Sequence, residues 1–247
     1  MAVQAPTALP PGPFPIPESG LLLVDKPVGW TSFDVVGKLR GGLRSVFGRK
    51  MKVGHAGTLD PLASGLVVVG YGARTKDLEA LSGQDKVYTG TLRLGGTTPS
   101  HDAETEVVEH APWQHLTGSR IRAAAERFQG TIQQRPPLFS AKHHKGERAY
   151  FLARQGAGTV LEPVQVTVQR FVVLAVRGAE VDFEVACSKG TYIRALVRDV
   201  GEDLGCGAWL SALRRTRSGE LDVADARTPE AWSVWFDEQV KGAAAAP

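Results

Sequence analysis

Strand-like and helix-like segments that cluster, rather than alternate one for one, predict an α+β fold for this 247-residue chain. Two observations carry that reading. Short apolar runs bounded by turn residues recur from Gly20 onward, and the paired runs Val164–Val176 and Val181–Cys187 surround a turn at Arg177-Gly178. Helical periodicity appears separately, most clearly over Tyr192–Leu204, where Ile193, Leu196, Val197, Val200 and Leu204 form one apolar stripe ended by Gly205.

The remaining elements follow in order. Residues 1–19 hold six prolines and one charged side chain and read as a flexible tail. Leu21–Val24 is fit for a buried strand. Thr31–Phe47 reads as a helix capped by Thr31 or Ser32, with Phe33, Val36, Leu43, Val46 and Phe47 on its core side. Leu66–Val69 and Val87–Leu94 are further strands, the latter broken at Gly95-Gly96, and Ile121–Phe128 is a short helix. Glu147–Gln155 reads as a helix stopped by Gly156, and Thr191 as the cap of the Tyr192–Leu204 helix. Thr228-Pro229-Glu230 opens a last helix, with a cap, a first-turn proline and an acid.

Composition narrows the class. With 43% hydrophobic and 22% charged residues a buried core is expected. No stretch approaches the ~18 apolar residues of a membrane span, and the N-terminus lacks a secretory pattern. Two cysteines, Cys187 and Cys206, make no disulfide framework, and no zinc spacing accompanies them, so a reducing, cytoplasmic compartment is expected. The net charge of +3 matters less than its distribution. Lys38 to Leu59 holds six basic side chains and no acid. Arg135 to Arg154 is rich in Lys, Arg and His against Glu147 alone, and Arg214, Arg215 and Arg217 form a third run. Such segregation suits a polyanion laid across one face; solvated surface faces are the plainer alternative.

The segment Gly54-His55-Ala56-Gly57-Thr58-Leu59-Asp60-Pro61-Leu62-Ala63-Ser64-Gly65 sets one acid among small residues, directly before a buried strand. Pro61 pushes Asp60 out of helical geometry, and the glycines allow another backbone or a ligand to come close. An Asp-Pro turn of purely structural meaning is the commoner use of that dipeptide.

The wording of this segment resembles the catalytic loop of the TruB-type tRNA pseudouridine synthases. The resemblance continues in order from about Gly20 to Gly219. It takes in Asp25-Lys26-Pro27-Val28-Gly29-Trp30-Thr31-Ser32, Lys86-Val87-Tyr88, Pro136–Ala141 with Gly146–Tyr150 and Ala153–Gly156, and Ser188-Lys189-Gly190-Thr191-Tyr192-Ile193-Arg194. It implies a pseudouridine-synthase fold with a mixed, largely antiparallel central sheet flanked by helices and RNA-binding loops. The catalytic domain is expected over residues 20–225, with a mobile RNA-contacting insertion near 130–156 and a short C-terminal helix and tail at 226–247.

By the same resemblance Asp60 is the catalytic carboxylate, as nucleophile or as base toward the ribose. Arg194 pairs with that carboxylate, and Tyr88 stacks on the uracil and serves the late deprotonation at C5. Without the motif, Arg194 reads as an exposed helix arginine and Tyr88 as a packing residue. His55 is expected to enter the space left by the flipped base. Lys26 and the Arg40–Lys52 run are expected on phosphates, Lys189 at an anion-holding helix start, and Arg148, Tyr150 and Arg154 in the closing RNA contact. No atoms enter or leave in the isomerisation, so neither cofactor nor metal is expected. The partner is tRNA, through its T-arm stem-loop; no membrane and no obligatory protein partner are expected, and monomer is the default.

Departures from the family pattern fall at Thr97–His101, which replaces the usual residues before Asp102, at Thr105, and at Phe139, where a tyrosine is frequent. After Glu220 only 27 residues remain. That is fewer than the ~40 an unaided domain needs, so no PUA domain is expected, and tRNA binding should be weaker and more salt-sensitive. A tRNA-binding folding helper and a guide-RNA-dependent relative are the alternatives; the presence of Asp60, Tyr88 and Arg194 speaks against the first, and the missing PUA domain against the second.

Overall fold

The computed structural model describes residues 16–137, 143–144, 147–148 and 161–244. It divides into two compact units: the described residues up to Lys86 together with those from Arg214 on, and Val87–Leu213.

In the first unit β1 (Gly20–Lys26) pairs antiparallel with β3 (Ala63–Tyr71), from Gly20↔Tyr71 to Lys26↔Gly65. Between them in sequence come α1 (Ser32–Phe47) and β2 (Val53–Ala56), which pairs with the second half of β3. Eight of the nine β3 residues are buried, so its sequence reads as an unbroken apolar run rather than an alternating one. Thr31 caps α1 through a reciprocal pair of bonds with Asp34. The buried stripe of α1 is Val35, Val36, Leu39 and Leu43. Phe33, expected inside, is instead 68% exposed, with the Arg40 guanidinium over its ring. It sits in the first turn, one residue past the buried Ser32, where the stripe has already turned away. A short helix, α2 (Leu78–Ser82), follows β3.

The second unit carries β4 (Lys86–Leu94), the small pair β5 (Gly96–Thr97) and β6 (Glu109–His110), and α3 (Gly118–Arg127). β7 (Gly130–Gln134) joins a ladder whose other members are β10 (Val164–Arg177) and β11 (Glu180–Cys187), the expected hairpin. β8 (His143–His144) pairs with β9 (Glu147–Arg148). The helix expected from Glu147 is therefore not formed at Glu147–Arg148: cross-strand bonds to the two histidines satisfy that backbone, overriding a weak local preference. The rest of that segment, with Tyr150 and Arg154, lies outside the described residues.

α4 (Ile193–Leu204) is the expected amphipathic helix, but Thr191 does not cap it. The Thr191 hydroxyl donates to Ser188 O, and the helix starts at Tyr192 without a side-chain cap. Buried Gln134 of β7 bonds both backbone groups of Tyr192, accepting from its N at 2.8 Å and donating to its O at 3.1 Å. Tertiary contact replaces the local cap. β12 (Ala208–Ser218) follows; the sequence there reads only as a basic run.

The chain then forms β13 (Leu221–Asp222) and α5 (Pro229–Ala244) in the first unit. Thr228 and Pro229 start α5 as expected, Thr228 Oγ1 accepting from Ala231 N. Trp232, Trp235 and Phe236 are buried against one another, and Trp232 Nε1 donates to Leu23 O at 2.9 Å. The C-terminal helix thus belongs to the core of its unit. The β1–β3, β2–β3, β7–β10 and β10–β11 ladders are antiparallel, with isolated parallel bridges at Val24↔Arg227 and Asp102↔Leu210, and the fold is mixed α+β. Among the described residues no helix is long and apolar enough to cross a membrane.

Candidate active site

Asp60 stands at the first position of a tight turn between β2 and β3. Its carbonyl accepts from Ala63 N at 3.1 Å, with Pro61 next in the turn, where its fixed φ belongs. The residues around it are held one by one. Ser32 Oγ accepts from Leu59 N at 2.9 Å and donates back to Leu59 O at 3.2 Å. Gly29 N donates to Pro61 O at 2.8 Å. Asp60 itself remains half-buried. The Asp-Pro turn is therefore structural, and it also places a carboxylate at the corner of a rigid loop.

Lys26 does not lie on the surface, where a phosphate contact needs it. Its side chain is fully buried, and Nζ donates to Pro27 O at 3.0 Å and Trp30 O at 2.7 Å. β1 ends there, so the side chain is carried inward by the strand instead of projecting into solvent. Burial pushes its ammonium down to about 8; the Asp60 carboxylate opposes that shift, and Arg215 adds to it. Lys26 thus works within the field around Asp60.

Arg215, from the basic run near the end of the chain, is also buried. Its Nε donates to Leu66 O at 2.6 Å and its Nη2 to Gly57 O at 3.0 Å. The run as a whole is not a free cationic face. Arg214 makes a two-pronged ion pair with Asp25 at 2.9 and 2.8 Å, and Arg217 lies 3.8 Å from Asp222. The Lys38–Lys52 run, by contrast, is exposed at all six basic positions. His55 is half-buried on β2, and its Nδ1 has no hydrogen-bond partner among the described residues. Burial lowers its pKa, and the charge of Arg215 lowers it further.

In the second unit Tyr88 is buried on β4 and Arg194 on the first turn of α4. The arginine is not an exposed helix side chain. Its Nη1 donates to Ser100 O at 3.1 Å, and its Nε lies 3.5 Å from Asp102 Oδ2, with both side chains out of solvent. Asp102 is itself held: Oδ1 accepts from Ser100 Oγ at 2.5 Å and from Glu104 N at 2.9 Å. Between them His101 adopts a left-handed backbone, φ 60°, unusual for a non-glycine residue. Burial and the neighbouring Arg198 and Arg194 push its imidazole down to about 4, against the pull of Asp102, so it is neutral at ordinary pH. The segment that departs from the family pattern thus supports Arg194 through Ser100 and Asp102, a role for which Asp102 carries no signal in the sequence.

Lys189 is exposed just before α4. Arg148 lies on β9. An open cleft of about 500 Å³ lies elsewhere in the second unit, between Arg135, Arg198, Asp199 and Glu202, and contains none of the expected catalytic residues.

The first unit thus carries a turn-borne carboxylate in a glycine-bracketed loop and the second a buried, acid-supported arginine at a helix start; comparison with known proteins identifies the class as the pseudouridylate synthases. Residues 44–193 match the TruB family pseudouridylate synthase N-terminal domain, and residues 194–236 match the tRNA pseudouridylate synthase B C-terminal domain. The chain belongs to the TruB family of pseudouridylate synthases. It is 45% identical over 213 residues to a tRNA pseudouridine synthase B of Chloroherpeton thalassium, covering 86% of this chain and 88% of that one. It is 44% identical over 223 residues to a protein of the same name from Phocaeicola vulgatus, covering 90% and 95%. Among solved structures, a Cbf5–Nop10–Gar1 complex superposes with a TM-score of 0.67 at 28% identity, over 97% of this chain and 66% of the other.

Proposed function

We propose that this protein converts the uridine at position 55 of the tRNA T-arm into pseudouridine, with Asp60 as the catalytic carboxylate. The reaction breaks the bond from ribose C1′ to uracil N1, turns the base, and joins C1′ to C5; C5 loses a proton and N1 gains one. Nothing is added or removed; the protein must supply a carboxylate at the ribose, as nucleophile or as base, and a group that serves the deprotonation at C5, the role of Tyr88. The observation that carries this reading is the Asp60 turn: the residues on either side are pinned by hydrogen bonds, and Asp60 between them is half-buried. Pre-set geometry of this kind lowers the cost of reaching the reactive arrangement.

The uridine must leave its stack to be reached, at a cost of a few kcal/mol. We assign His55, on β2 just before the loop, to that vacated space, Tyr88 to the uracil and Arg194 to the charge on the carboxylate. The exposed Lys38–Lys52 face, Lys189, and Arg148, Tyr150 and Arg154 serve the RNA backbone, fixing position rather than sequence. The partner is tRNA, the compartment the cytoplasm.

The test is a T-arm RNA incubated with wild type and with Asp60→Asn, followed by assay for pseudouridine. Wild type should turn over. The variant should bind the RNA and form product at least ~1,000-fold more slowly, the scale of losing an essential nucleophile or base. Comparable rates from both proteins, or product from neither, refutes the assignment.

A further inference from the structure

We propose that Arg215 is a positioning residue for Asp60, a clamp across the neck of the catalytic loop; this rests on the reading of Asp60 as the reacting carboxylate. The loop leaves β2 at Gly57 and enters β3 by Leu66. One guanidinium holds the carbonyls of both residues, three positions before Asp60 and six after it.

A glycine in unusual backbone geometry marks each side of the neck. Gly57 has φ 75° and Gly65 φ 100°, backbone that few other residues adopt. Both glycines are also there for Arg215. A Cβ on Gly65 would lie 2.2 Å from Arg215 O, and one on Gly57 would lie 3.3 Å from Arg215 Nη1. Gly57 leaves room for the guanidinium itself, and Gly65 lets the Arg215 main chain lie close against β3. Ser32 and Ala63 fix the tip of the loop, as described above; Arg215 alone among these groups ties the incoming strand to the outgoing one.

A lysine cannot reproduce this. The planar guanidinium sends two N–H groups in fixed directions to two separate carbonyls, whereas an ammonium is a point charge on a flexible stem. The arginine's charge is felt nearby as well, since it depresses both Lys26 and His55. The loop that carries the reacting acid is therefore held at its neck by a buried cation, and at its tip by the neutral Ser32.

Arg215→Lys keeps the charge and loses the fork; Arg215→Met keeps the bulk and loses both. Steady-state turnover of T-arm RNA should show kcat lowered about 100-fold in Arg215→Lys with KM within about threefold of wild type, the size of effect expected when a reacting group is displaced by roughly 1 Å. Hydrogen exchange should show the amides of residues 57–66 opening at least about tenfold faster in the same variant, with the α1 and α5 amides unchanged. The exchange arm reads the clamp whether or not the wild type turns over, so failure of the assigned reaction and failure of the clamp are separate outcomes. Turnover within twofold of wild type, a rise in KM at unchanged kcat, or unaltered exchange in the loop would each overturn the proposal. So would global unfolding of both variants, since the arginine would then belong to the fold as a whole.

Discussion

Arg215 and Arg194 are both buried arginines, one in each unit, and they are accommodated in opposite ways. Arg194 faces a carboxylate, with Asp102 beside it and the Ser100 carbonyl accepting from its Nη1. Arg215 is held by main-chain carbonyls of Leu66 and Gly57, with a second buried cation, Lys26, close enough to be depressed by it. The first arrangement neutralises charge locally. The second concentrates positive charge around the loop that presents Asp60. A buried charge is costly unless it is paired or richly hydrogen-bonded, and the two units have each used one of those two solutions. The difference teaches that a buried arginine can be carried by main-chain carbonyls, as Arg215 is, or with a buried acid as support, as Arg194 is.

The largest test of that contrast removes the acid. Asp102→Ala strips Arg194 of its charged neighbour and should cost about 3–5 kcal/mol of stability, as breaking a buried ion pair does. Urea unfolding reads this directly, and a loss under about 1 kcal/mol would mean the second unit does not depend on pairing either.

A smaller effect separates the units by pH. The Lys26 pKa is lowered from 10.5 to about 8 in the folded protein, so between those values the unfolded chain holds a proton that the native state has released. Stability contributed by this site therefore rises with pH across that window, and is least below pH 8, where the buried ammonium stays charged. Relative to Lys26→Met, wild type should gain on the order of 1–2 kcal/mol between pH 7.5 and 9.5, measured by denaturant unfolding. Parallel pH curves for the two proteins would remove the excess positive charge from the account.

The smallest effect is expected next door. Arg214 and Asp25 form a well-shaped two-pronged pair, but their side chains are 40% and 26% exposed. Arg214→Ala should cost no more than about 1 kcal/mol and leave turnover near wild type, because a partly solvated pair contributes little. Adjacent residues of one strand would then differ widely in consequence, since successive side chains leave on opposite faces.

Much of this was legible beforehand. The apolar runs place β1 and β3, the capping signals place α1 and α5, and the hairpin of β10 and β11 lies where the paired β-rich runs put it. β12 was missed because its eleven residues mix arginines with apolar positions. Its burial alternates along Ala208 and Leu210, then resumes at Leu213 and Arg215 one step out of phase, so no simple period shows. Gln134 gave no signal of its own as the group that receives α4, and Thr191 offered a false one.

What the sequence alone determined is the family and its ordered motifs, Asp60 among them, because those are matters of residue type and spacing. Only the tertiary structure decided which charges are buried and what each of them serves. Lys26 was expected on the surface and is enclosed; Arg215 was one cation of a run and is a clamp; Asp102 sat in a departing segment and supports Arg194. The physical reason is distance along the chain. Arg215 finds its carbonyls 149 and 158 residues upstream, and Arg194 meets Ser100 across 94 residues. Whether a charge is tolerated inside depends on such remote partners, and local sequence does not contain them.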